Sequence, residues 1–86
     1  MPCISQFFGI AIYRYYNDHL PPHFHAEYAD HEATVMIRTL EIRSGELPRR
    51  ARALVLEWGS LHRAELLANW ERARDGSTLQ EIEPLD

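Results

Sequence analysis

Ten consecutive residues, Asp18-His19-Leu20-Pro21-Pro22-His23-Phe24-His25-Ala26-Glu27, hold three imidazoles and two carboxylates. In an extended strand successive side chains point to opposite faces, so His23, His25 and Glu27 share one face while Phe24, Ala26 and Tyr28 share the other. Two imidazoles and a carboxylate on one side form a donor set that a divalent transition metal accepts, with positions left for water or substrate. His19, four residues before His23 across a Pro-Pro turn, is a further candidate ligand. Asp18 is the candidate that would orient a ligating ring from behind. A metal held there would acidify its bound water and support hydrolysis, with Glu27 as ligand or as catalytic base. Two plainer readings stand beside this one. The histidines hydrogen-bond within the sheet or pair with Glu27 and Asp18, or they carry acid–base chemistry without a metal.

Other residues carry weaker signals. Arg49, Arg50 and Arg52 cluster beside Pro48, where a helix is expected to begin, and cations oppose the dipole at that end. Their candidate role is contact with a phosphate or a partner's carboxylate, which arginine grips bidentately; the alternative is a solvated surface. His62 and Glu65 stand three apart on the same helical side and suit an ion pair at a helix start. Trp58 and Trp70 read as core or interface anchors, and Tyr13, Tyr15 and Tyr16 as strand packing rather than base stacking. Cys3 has no cysteine partner and reads as an incidental or buried thiol.

The elements that must position these residues follow from periodicity. Phe7 to Tyr16 is aromatic and β-branched enough for a strand, followed by a turn at Asn17-Asp18-His19 and Pro21-Pro22. His23–Tyr28 is a second strand, and 32–38 alternates as a third, with Glu32, Thr34 and Met36 beside the histidine face. Leu40 and Ile42 shift that alternation and suggest a bulge or a fourth short strand at 40–43 before a Ser44-Gly45 turn. From Pro48 the apolar spacing changes to three and four, giving helices over about 48–60 and 62–74 with a bend between Gly59 and His62. Leu79, Ile82 and Leu85 punctuate an acidic tail, 75–86, that docks as an edge strand or contacts another chain. The expected fold is α+β: a small antiparallel sheet of three to four strands packed against one or two C-terminal amphipathic helices, in a single domain spanning 1–86.

Composition narrows the classes. A chain of 86 residues with 45% apolar content forms one core but buries only about 60 to 65% of its unfolded surface, so a second copy or another partner would add stability. One cysteine and no secretory pattern point to a reducing, cytoplasmic setting, and no apolar run approaches membrane-spanning length. The net charge of −4 argues against a general nucleic-acid binder; the tail alone supplies it, through Asp75, Glu81, Glu83 and Asp86. No basic recognition helix is visible, which weakens a regulator that binds nucleic acid.

Several segments together resemble a bacterial family, the Domain of Unknown Function 4160 family. They are Met-Pro-Cys-Ile-Ser, Phe-Gly-Ile, Tyr-Tyr-Asn-Asp-His, Pro-Pro-His-Phe-His-Ala-Glu-Tyr, Gly-Glu-Leu-Pro-Arg-Arg-Ala, Leu-Val-Leu-Glu-Trp, Leu-His-Arg-Ala-Glu-Leu and Asn-Trp. Cys3 and Gly59 depart from the commoner Thr and Ala. The resemblance implies a neighbouring gene for a small protein of the Domain of Unknown Function 2442 family, in an arrangement like a toxin–antitoxin pair. It carries over no catalytic residues. The expectation is a binding component of such a module; the alternatives are a metal-dependent hydrolase or ribonuclease with a His/His/Glu face, and a nucleic-acid-binding regulator.

Overall fold

The structure, a computed structural model, describes residues 3–16 and 19–86. Five strands precede two helices: β1 Cys3–Phe7, β2 Ile10–Tyr13, β3 His23–Tyr28, β4 His31–Met36, β5 Ile42–Gly45, α1 Arg49–Leu61 and α2 Arg63–Arg74. The strands form one antiparallel sheet in the order β1-β2-β3-β4-β5, so each pairs with its neighbour in sequence. The architecture is α+β, with five strands rather than three or four.

The extra strand comes from a correction near the start. The stretch expected as one strand over 7–16 is a hairpin that turns at Phe8-Gly9, where φ is 49° and 80°. Positive φ at both central residues gives a turn whose twist matches the strands it joins; glycine adopts it freely, whereas Phe8 leaves its ring 56% exposed at the tip. The fourth strand expected at 40–43 starts at Ile42 and runs through Gly45, after a turn in which Leu40 takes φ 63°. A register shift opposite Thr34 and Val35 then pairs Gly45 with Ala33. A Cβ at Gly45 would lie 2.1 Å from the Glu32 carbonyl oxygen, so the position requires glycine.

Both helices lie on one face of the sheet. Ile10 and Ile12 of β2, Phe24 and Ala26 of β3, and Ala33 and Val35 of β4 are buried there with Ala51, Val55 and Trp58 of α1 and Leu66 and Trp70 of α2. Trp58 packs against Phe7 and Phe24, with ring centroids 5.4 and 5.8 Å away. The helix continues through Gly59 and breaks at His62, whose Nδ1 lies 2.5 Å from Glu65 Oε1. A Cβ at Gly59 would meet Leu40 Cδ2 at 2.9 Å, so the missing side chain also lets the β4–β5 connection approach.

The tail beyond α2 has no regular structure. Among the described residues its docking on the sheet edge is one backbone bond, Ile82 N–H to the Ile4 carbonyl at 2.8 Å. Side chains hold the rest. Trp58 Nε1 donates to the Glu83 carbonyl, while Asn69 donates to the Gln80 carbonyl and accepts from the Gln80 N–H. Among the described residues no helix is long and apolar enough to cross a membrane.

Candidate functional site

Register assembles the second face of the sheet. His23 pairs with Met36, His25 with Thr34 and Glu27 with Glu32 across β3 and β4, while Ala11 and Tyr13 of β2 stand opposite Glu27 and His25. The three residues of the histidine face share one side of β3, with Glu32, Thr34 and Met36 beside them.

His23 corrects the expectation that both rings look outward into water. It is 8% exposed, and its Nδ1 lies 2.8 Å from the Pro21 carbonyl oxygen. A carbonyl only accepts, so that nitrogen carries the proton. The reason is position: His23 opens β3 at the end of the sheet, where Trp70 of α2 reaches to within 5.3 Å of its ring. His25 is half-buried, its ring 5.1 Å from His23 and nearly perpendicular to it, and 4.6 Å from Tyr15. Tyr15 in turn lies parallel to Tyr13 at 6.2 Å. The outcome is a row of rings, Tyr13, Tyr15, His25, His23 and Trp70, running from the open sheet face to the edge of the helical layer. Ring contacts of this kind add about 0.5 to 1.5 kcal/mol each beyond the area they bury.

Arg14 closes the row, and sequence reasoning passed it over. It continues the core-facing alternation of Ile10 and Ile12, is 1% exposed, and lays its guanidinium 3.8 Å from the centre of the Trp70 ring. It also donates to the Tyr15 carbonyl and, at 3.5 Å, to the Trp70 carbonyl. A cation over an indole face in a dry setting is attractive by about 2 kcal/mol. The signal was present in the parity of 10, 12 and 14, but arginine in a strand reads as surface.

The remaining candidates disperse. Among the described residues, no three His, Cys, Asp or Glu side chains come together in a way that could hold a metal ion. His19 is exposed, and Asp18 lies outside the described residues. His19, His23, His25 and Glu27 do not form such a group. Arg49, Arg50 and Arg52 are exposed on the uncapped first turn of α1. Arg50 lines a groove with Phe8 and Tyr28, at the end of β3 away from His23. On the open face, burial, Glu27 and Cys3 push the Tyr13 hydroxyl above its ordinary range, in that order of importance. Asn69, the buried clamp on the tail, was also missed; a side-chain grip on backbone eleven residues away leaves no periodic trace.

These features define a class: a two-layer α+β domain with helices over one sheet face and a ring-lined, partly acidic surface on the other. Residues 9–71 match the family described as Domain of unknown function (DUF4160), and the chain belongs to it. The matched segment contains Arg14, both β3 histidines and Trp70, and omits β1 and the tail. No curated protein and no solved structure matches the chain.

Proposed function

We propose that this protein is the binding component of a toxin–antitoxin-like two-protein module, holding a small cognate protein of the Domain of Unknown Function 2442 type on the open face of its sheet. The observation that supports this reading is the asymmetry of the sheet. One face is sealed by α1 and α2, while on the other Tyr13, His25, Thr34 and Met36 are half-buried, with Tyr15 beside the Tyr13 and His25 rings. Rings already held by their neighbours lose little freedom when a partner covers them, which favours binding.

A metal-dependent hydrolase or ribonuclease is less well supported, because the described donors do not converge and His23 Nδ1 is engaged by main chain. Nucleic acid is disfavoured by the carboxylates of Glu27 and Glu32 on the same face. The test is co-expression of the untagged chain with the product of the adjacent gene. A complex that survives purification, together with growth arrest by one protein alone and relief by the pair, is the expected result. Failure to associate overturns the proposal.

A further inference from the structure

Glu27 and Glu32 are a directly opposed cross-strand pair of like charge, an arrangement that costs rather than adds stability. Among the described residues neither has an ion-pair partner. The paired outward positions of the sheet, Gln6, Ala11, Tyr13, His23, His25, Thr34, Met36 and Ser44, include no arginine; Arg43 falls at the register shift of the edge strand. Beside Glu32 the face has a shallow depression of about 310 Å³, lined by His25, Glu32, Ala33, Thr34, Ser44 and Gly45. Ala33, Thr34, Ser44 and Gly45, all small, make up most of its lining.

We infer that the open sheet face docks a partner protein through an arginine or lysine side chain, seated in this depression, that neutralises Glu32 and Glu27. The inference rests on the binding reading above and supplies its chemistry. Charge decides the occupant. A second copy of the chain presenting the same face brings carboxylates toward carboxylates, and nucleic acid brings phosphates toward them. For a divalent ion, no three His, Cys, Asp or Glu side chains gather here among the described residues. A basic side chain finds carboxylates for its charge, the hydroxyls of Thr34 and Ser44 as acceptors, and the His25 ring as a flat wall.

The test measures affinity for the adjacent gene's product by calorimetry at low and physiological ionic strength. Glu32→Gln is expected to weaken binding about tenfold, the equivalent of about 1.4 kcal/mol, and Glu32→Arg to abolish it. The double variant Glu27→Gln/Glu32→Gln should lose most of the salt dependence of the wild type. Glu81→Gln, which removes an equal charge from the tail, should leave affinity unchanged. Equal affinity of wild type and the double variant overturns the inference while leaving the binding reading intact.

A second probe works without the cognate protein. A short arginine-rich peptide titrated into isotope-labelled chain should shift the amide resonances of His25, Glu32, Thr34 and Ser44. If the cognate protein does not bind but these resonances move, the binding reading fails and the basic-side-chain preference stands. If these resonances do not move, or if self-association or manganese binding is what the double variant removes, the inference is overturned.

Discussion

Phe24 and His25 are adjacent in one strand, yet they inhabit different environments. Phe24 is fully buried among Trp58, Val35 and the helices, and its environment is complete within the chain. His25 sits among rings that support it from the sides, beside Thr34 and near two uncompensated carboxylates. The first face was built for stability alone; the second keeps an electrostatic penalty that packing does not explain. A surface that retains such a cost is where function is to be sought.

Substitution can break this contrast. Phe24→Ala should lose about 3 to 5 kcal/mol, because it empties space beside Trp58 that α1 cannot refill; chemical denaturation measures it, and a loss near zero would mean the helices are not the true cover. Asn69→Ala should cost about 1 to 3 kcal/mol by stranding its bonds to Gln80 and to Arg72. The same variant should speed hydrogen exchange at Gln80 and Ile82 while leaving β3 protected.

On the open face the sign reverses. Glu27→Gln should raise stability by about 0.2 to 1 kcal/mol in low salt, and added salt should shrink the gain. A loss of stability instead would show that Glu27 has a favourable role in the free protein.

Tyr13→Phe should produce the smallest effect, confined to alkaline solution. The folded hydroxyl titrates above the ordinary value of about 10, so the unfolded chain ionises first. The contribution of Tyr13 is fully present below that ordinary value and is lost as pH rises through the folded one. The variant should therefore show a flatter alkaline decline in Tm than the wild type, and identical declines would remove burial and Glu27 as the cause.

Much of the sheet was legible because alternation is a direct record of burial. Phe24, Ala26, Ala33 and Val35 reveal their face by period alone, and their register sets Glu32, Thr34 and Met36 beside the histidines. The Phe8-Gly9 turn was hidden because Phe-Phe reads as strand, although a lone glycine within such a run signals a break. Burial of His23 was unreadable for a different reason: it depends on an indole 47 positions later, whose arrival at the sheet end follows from the angle of α2 and not from any local pattern. Shared direction along a strand is likewise not convergence on one point, and among the described residues no three His, Cys, Asp or Glu side chains gather.

Nearest-neighbour pairing through all five strands has a kinetic consequence. Each hairpin pairs strands adjacent in sequence, so the sheet can form before residues 49–74 dock on it. Until they dock, Ile12, Phe24 and Val35 face water on a sheet that has no lid, and the folding protein is then most prone to stick to others like itself. Docking of α1 ends the exposure: how quickly Val55 and Trp58 settle on the sheet sets the window for aggregation.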